Sequence, residues 1–338
     1  MGQEMKIRGK FPVELPTEYN PEIGPVTGLD IIRDAMHRFE YWDRALLCQE
    51  KMDGWFGILI KENNKCRWVR GWKEYGMLQE ALKQVEEYLP DDSIVVCEVM
   101  YGTPYGSAMA ERLGYVRVYI TDVLKWNGKV VAEEPTGKRF LLLSEYFRGS
   151  NFKTNGHLCL VRTLPLKAGN PEESKRKAWV MFNDIYREGG EGLILKDISI
   201  PYVLRSKTKY MWKVKKYEVK SYVVMGFQDS SAVTYHAKGM EVSSLIGGLY
   251  VDGKLKEATK TSGFDFDWRK KFTDNPEEYI GKVVDIAGNE IFKDGAMRHS
   301  TMLYFRPDIS PKGCTLHPNE GQPKEGKFKK PQAGIQRI

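Results

Sequence analysis

No apolar run in the 338-residue chain approaches the roughly 20 residues that a membrane-spanning helix needs. The N-terminus also lacks the basic-then-apolar layout of a secretory signal. The chain is therefore expected to be soluble and cytoplasmic, with no membrane partner. Cysteine is sparse: Cys48, Cys66, Cys97, Cys159 and Cys314 stand singly, without any C-x-x-C pair. That excludes the usual zinc-site and disulfide patterns and favours reduced thiols. The five histidines are equally scattered, so neither a histidine metal cluster nor a histidine-based triad is expected. No internal repeat is visible.

Charge, by contrast, is plentiful and unevenly spread. The formal balance is +7, and residues 202–220, YVLRSKTKYMWKVKKYEVK, carry most of it. This stretch holds seven basic side chains (Arg205, Lys207, Lys209, Lys213, Lys215, Lys216, Lys220) against Glu218 alone. Tyr202, Tyr210, Trp212 and Tyr217 are interleaved with them. A basic stripe with aromatics suits a polyanion such as nucleic acid.

The length favours two domains. Four prolines (Pro12, Pro16, Pro21, Pro25) mark the first 25 residues as an extended arm. Strand-like runs follow at 45–49, 55–60, 94–101, 115–124 and 157–164. Helical spacing predicts helices over 75–89, stopped by Pro90, and over 172–188, stopped by Gly189-Gly190. Strands with irregularly interspersed helices point to an α+β domain. After about residue 216 short strands (219–227, 244–251, 281–286, 301–306) alternate with Gly and Asp turns, the pattern of a small antiparallel barrel. The Pro-, Gly- and Lys-rich end reads as a flexible basic tail. The expected division is 1–216, 217–317 and 318–338.

Within this frame LCQEKMDGWFGILI, residues 47–60, sets Lys51 between two apolar runs. A partly buried ammonium costs folding energy unless something pairs with it. K-x-D-G alone arises by chance in about one chain of this length in ten, so its company decides. Glu98 stands in the apolar strand IVVCEVMYG, and Glu191 opens EGLILKD. Lys213 and Lys215 lie two apart in YMWKVKKY, on one face of a strand. Each charge alone has an ordinary structural explanation. Four strand-embedded sites of both signs fit a shared pocket better.

These residues resemble the motifs of the covalent nucleotidyltransferases, the family of DNA ligases, RNA ligases and mRNA capping enzymes. KMDG at 51–54 is similar to motif I, WVRG at 68–71 to the short motif around Arg70, and CEVMYG to motif III. EGLILKD resembles motif IV and WKVK motif V. GAMRHSTMLYFRPD, residues 295–308, is similar to motif VI of ATP-dependent DNA ligases. The compact layout, with about 50 residues before the lysine, looks most like the bacteriophage type.

The resemblance implies an adenylation domain of antiparallel sheets and helices followed by a C-terminal OB-fold barrel. It implies ATP and Mg²⁺ as cofactors, nicked double-stranded DNA as partner, and action as a monomer. Lys51 would accept AMP, and Asp53 would position the nick's 3′-hydroxyl. Lys213 and Lys215 would hold the α-phosphate, and Glu98 and Glu191 would be the metal ligands. Gln49, Glu50, Gly54, Arg70 and Tyr119 would line the nucleotide site, with Arg298 and Arg306 on pyrophosphate. Four positions depart from the pattern: Gln49 where a carboxylate is common, Phe56 for arginine, Thr121 for the base-stacking aromatic, and Ile309 for lysine. An RNA ligase or capping-type guanylyltransferase shares motifs I to V and is the nearest alternative. A nucleic-acid-binding OB protein with a dead catalytic domain is the alternative of another class.

Overall fold

The structure is a computed structural model and describes residues 11–70, 73–74, 82–83, 85–100, 117–148, 158–202, 210–229, 239 and 241–316. Most of the helix expected over 75–89, the Arg205, Lys207 and Lys209 part of the basic stripe, and the tail from 318 lie outside these residues. The chain forms two compact units. One comprises Met1–Val13 and Arg33–Lys215, the other Glu14–Ile32 and Lys216–Ile338.

The change from one unit to the other falls inside helix α1 (Gly28–Arg38). Thr27 caps this helix: the Asp30 N–H donates to the Thr27 hydroxyl oxygen at 3.2 Å and the Thr27 N–H donates to Asp30 Oδ2 at 3.1 Å, the reciprocal arrangement of a capping box.

The first unit contains two antiparallel sheets. One has the order β11-β10-β1-β9, built from β1 (Leu46–Glu50), β9 (Thr163–Leu166), β10 (Gly192–Asp197) and β11 (Met211–Lys215). The other runs β4-β3-β2-β5-β6-β7, from β2 (Trp55–Glu62), β3 (Lys65–Arg70), β4 (Lys73–Glu74), β5 (Ser93–Met100), β6 (Arg117–Trp126) and β7 (Lys129–Val130). Strand β8 (Leu158–Leu160) joins it parallel to β6.

The second sheet buries one face in a core of Leu59, Trp68, Val95, Cys97, Val99, Val118 and Ile120. These residues alternate with Ile58, Val96, Glu98 and Tyr119, so the strand period of two carries the other set to the opposite face. Burying branched and aromatic side chains at about 25 cal/mol per Å² supplies the main stabilisation.

Helices α2 (Thr136–Arg148) and α3 (Pro171–Arg187) also belong to this unit. In α3, Asn170 accepts from the Glu173 N–H at 3.1 Å and Pro171 opens the first turn. Its apolar face is Ala178, Met181, Phe182 and Ile185. The Gly190 N–H then turns back to the Ile185 carbonyl at 2.8 Å and ends the helix. This stop delivers Glu191 to the start of β10.

The second unit holds an antiparallel sheet of order β14-β13-β12-β15-β18, from β12 (Glu218–Asp229), β13 (Val242–Val251), β14 (Lys254–Thr261), β15 (Val283–Gly288) and β18 (Thr301–Phe305). A hairpin of β16 (Glu290–Ile291) and β17 (Met297–Arg298) and helix α4 (Phe266–Asp274) accompany it. The closed barrel expected from the turn spacing is not formed among the described residues. Between the edges of β14 and β18 there is only an isolated bridge, Gly263 to Thr301, because the chain leaves β14 at Thr261 before a ladder can build. The α+β class expected from the sequence is the class observed.

Candidate active site

The lysines take their places from strand register. Along β1 and β10, Gln49 is opposite Ile194, and Ile194 is opposite Lys213 on β11. One step further the Lys51 N–H donates to the Gly192 carbonyl at 2.8 Å, and Gly192 is opposite Lys215. Alternation therefore sets Gln49, Lys51, Lys213 and Lys215 on one face. Gly192 is obligatory: at its φ of +141° a Cβ would lie 2.0 Å from the Val214 carbonyl oxygen. Gly54 is fixed by contact instead, since a Cβ there would meet the Val99 carbonyl oxygen at 2.8 Å.

In the other sheet, Phe56, Glu98 and Tyr119 form one row across β2, β5 and β6. The two faces meet at Thr121, whose carbonyl accepts from Gln49 Nε2 at 3.3 Å and from Lys196 Nζ at 3.1 Å. Between the sheets lies a cavity of about 320 Å³, lined among others by Gln49, Phe56, Glu98, Thr121, Ile194 and Lys196. Glu50 and Met52, on either side of Lys51, also line it.

Charges converge around Glu98. Lys51 Nζ forms an ion pair with Glu191 Oε2, and Lys215 Nζ holds Glu191 Oε1 at 3.1 Å. Burial pushes the Glu98 carboxyl up to about 7, helped by Glu191 and Asp53 and opposed by Lys51 and Lys213. These four charges are its neighbours. Glu98 Oε2 and Gln49 Oε1 are buried acceptors with no hydrogen-bond donor. A buried acceptor left alone costs free energy, so both atoms suit a ligand that donates or carries positive charge.

The remaining expected residues have the following surroundings. Alternation turns Glu50 towards α3, where Glu188 and Arg162 are its charged neighbours and burial raises its pKa. Tyr119 packs beside Met52, Met100 and Val161 and accepts from Arg117 at 3.1 Å. Arg70 is exposed at the end of β3. In the second unit Arg298 is 3.7 Å from Glu290. Arg306 is 6% exposed and bonds Asp308 at 2.8 and 2.7 Å and Asp285 at 2.9 Å.

Sequence reasoning passed over Lys196 and the buried pair Arg139–Asp122, joined at 2.7 and 3.0 Å, all three of which line the cavity. Lys196 had a signal: it shares strand parity with Gly192 and Ile194. Arg139 had none, because its partner lies across a helix–sheet contact.

ATP and Mg²⁺ can be tested against this donor set. Two orphaned acceptors, the positive charge of the strand lysines Lys213 and Lys215, and a cavity of nucleoside size suit a nucleotide. Among the described residues no group of three or more His, Cys, Asp or Glu side chains gathers to hold a metal. Glu98 and Glu191 are charge neighbours, and Mg²⁺ commonly binds through one or two carboxylates plus substrate phosphates.

Comparison with curated proteins returns no match. Among solved structures, one titled Pmar-Lig_PreS3 superposes with a TM-score of 0.61 at 16% identity, covering 79% of this chain and 65% of that one. A second, Pmar-Lig_Pre., gives 0.61 at 14% identity, covering 87% and 68%. The chain thus spans about two thirds of the length of each. A structure from work on Lig E DNA ligases, titled as binding DNA with a minimal scaffold, gives 0.52 at 17% identity, covering 87% and 98%. At these identities the likeness is one of fold. The family model for the ATP-dependent DNA ligase domain matches residues 28–215; with more than half of the chain inside that match, it belongs to the ATP-dependent DNA ligase domain family.

Proposed function

We propose that the chain is an ATP-dependent DNA ligase that seals nicks in duplex DNA by way of a lysyl-AMP and a DNA-adenylate. The observation that carries this reading is Lys51 paired with Glu191, with Lys215 on the second carboxylate oxygen. In the first step Lys51 Nζ attacks the α-phosphorus of ATP. The N–P bond forms, the bond to pyrophosphate breaks, and Glu191 is the base within reach of the departing ammonium proton. Lys213 and Lys215 bear on the α-phosphate as charge accumulates there. Magnesium, when bound with the triphosphate, offsets phosphate charge, and Glu98 and Glu191 are the carboxylates that would hold it.

AMP then passes to the 5′-phosphate of the nick, and the 3′-hydroxyl displaces it, with Asp53 as the candidate that positions this hydroxyl. The 1–216 segment serves as the adenylation domain and 217–317 as an OB-type domain, opened relative to a closed barrel, with 318–338 a basic tail. The basic stretch 202–220 grips backbone phosphates without reading sequence. Nε–P bond formation is the test: incubate the protein with Mg²⁺ and ATP labelled at the α-phosphate, denature, and look for label on the protein. Absence of covalent label removes the reading. Chasing the label onto nicked DNA, and not onto nicked RNA, separates DNA ligase from RNA ligase.

A further inference from the structure

A second cavity, of about 180 Å³, opens between helices α1 and α3 within the first unit. Its apolar lining is Met36, which is buried, and Trp179, whose ring stacks on Phe182 at 5.9 Å. The rest is charged or polar. Arg33 and His37 come from successive turns of α1, and Lys175 and Arg176 from the start of α3. Among the described residues the lining has a single acid, Glu172, and Lys175 already holds it at 2.7 Å. Three cations thus stand against one carboxylate, beside the end of α3 where the helix dipole favours anions. Like charges on neighbouring turns oppose folding, a cost that a bound anion removes.

This cavity is separate from the catalytic one. Lys51, Lys213 and Lys215 occupy one face of their sheet. The other face, with Cys48, Leu193, Leu195, Trp212 and Val214, is buried. Helix α3 packs on β9 and β10, and Trp212 meets Phe39 and Tyr41, the residues just past α1. A group bound between α1 and α3 therefore lies behind the sheet and does not touch the reacting phosphate.

We infer that this cavity is a second nucleic-acid site, which takes one nucleotide of an unpaired strand. Its phosphate lies among Arg33, Lys175 and Arg176, and its ring or sugar rests against Trp179. The volume equals about six waters at roughly 30 Å³ each, room for part of one nucleotide and not for a duplex. Cations beside an aromatic ring are the sequence-tolerant means of holding single strands. An acidic peptide would satisfy the cations but leave the indole without a flat partner. The held strand does not react. It keeps the chain near the duplex it belongs to and so raises the effective concentration of the nick. The inference rests on the ligase reading only for what brings nucleic acid to the chain.

The test uses the full chain saturated with unlabelled nicked duplex, which fills the duplex-gripping surface, and a thymidine octamer as probe. A fluorescently labelled octamer should still bind, read by anisotropy, and an unlabelled one should quench tryptophan emission. Arg176→Glu, on the exposed surface of α3, should weaken octamer binding by about tenfold or more. Trp179→Ala should do the same and remove most of the quenching, while Trp179→Tyr should recover the binding. Labelling from ATP should keep the parent's rate in Arg176→Glu and Trp179→Tyr. Should Trp179→Ala fail to fold, those two variants decide the matter. Displacement of the octamer by the duplex, or binding untouched by Arg176→Glu, overturns the inference. So does equal competition by thymidine monophosphate, which makes the occupant a free nucleotide, or by a glutamate octapeptide, which makes it an acidic protein segment. Covalent labelling by ATP is scored separately. If label never forms while the octamer binds as described, the ligase reading fails and the second site stands; label without octamer binding gives the reverse.

Discussion

Lys51 and Glu191 lie 140 residues apart in the chain and meet as an ion pair, with Lys215 closing on the other carboxylate oxygen. The helix stop at Gly189-Gly190 brings Glu191 there, and the β1–β10 register brings Lys51. The pair does two jobs in the proposed reaction: it aims the amine, and it offers the oxygen that receives its proton. Lys51→Ala should therefore abolish covalent labelling from ATP. Lys51→Arg retains a cation opposite Glu191 and should label no better, since a guanidinium does not shed its proton. Denaturation curves for both variants check that the fold survives; retained labelling in either would remove Lys51 as nucleophile.

Glu191→Gln separates aiming from charge. The amide keeps the shape but neither accepts the proton nor balances two lysines. Labelling in a single turnover should slow by roughly 10²- to 10³-fold, the usual cost of losing a contact on developing charge. Lys215→Ala should slow the same step while binding AMP within about tenfold of the parent, because its charge matters most as the α-phosphate reacts. Rates within a factor of about three for both variants would leave this pair as packing only.

Glu50 gives a pH test read in stability, not in turnover. Burial and then Glu188 raise its pKa above the ordinary value of 4.5, against the pull of Arg162. Over the interval between the unfolded and folded values the native state keeps a proton that the unfolded chain has lost. Stability therefore falls as pH rises through that interval. Glu50→Gln removes the dependence, so its melting temperature should gain on the parent at pH 8 and lose that advantage near pH 4.5. An advantage that is the same at both pH values would contradict a protonation origin.

Duplex binding should be strongly salt-dependent. A basic stretch that neutralises even six phosphates predicts a loss on the order of a thousandfold in affinity between 50 and 200 mM salt. Fluorescence anisotropy on a nicked duplex reads this directly. Weak response to salt, or strong preference for one base sequence, would contradict backbone gripping.

Much of the site was readable because its carriers obey the period of two. EGLILKD and WKVK each place their charges on alternate residues, and the ladder between β10 and β11 keeps that parity. Helix α2 escaped notice because its start is fixed from a distance. The N–H groups of Thr136 and Gly137 donate to the carbonyls of Ile200 and Ile198, each at 2.9 Å, so no local capping signal was needed. Thr121 stood out as a departure from the motif, but the contacts of its carbonyl were hidden for a similar reason. The register between β5 and β6 shifts at Val96/Cys97, and such a bulge has no signature in one sequence. The barrel was over-read: turn spacing counts strands but does not say whether the last edge closes.

Arg306 tests how the second unit uses its motif. Resemblance assigns this arginine to pyrophosphate, yet its guanidinium bonds Asp308 through Nε and Nη2 and Asp285 through Nη1. Tyr19 covers it with the ring centre 4.9 Å away. Asp285 is itself buried, so removing Arg306 leaves a carboxylate without its counter-charge. Breaking a buried pair from one side costs on the order of 3 kcal/mol. Arg306→Ala should lower the melting temperature, and self-adenylation and the sealing of a pre-adenylated nick should fall together. Arg306→Lys keeps one charge but loses the two-pronged grip on Asp308, so it should recover only part of the stability. Arg298, half-exposed beside Glu290, makes the contrast. If it serves pyrophosphate, Arg298→Ala should lose self-adenylation by roughly 10²-fold and seal a pre-adenylated nick nearly as before, since no pyrophosphate leaves in that step. Should Arg306→Ala melt like the parent and lose only self-adenylation, the buried network would be incidental and the pyrophosphate role would belong to Arg306.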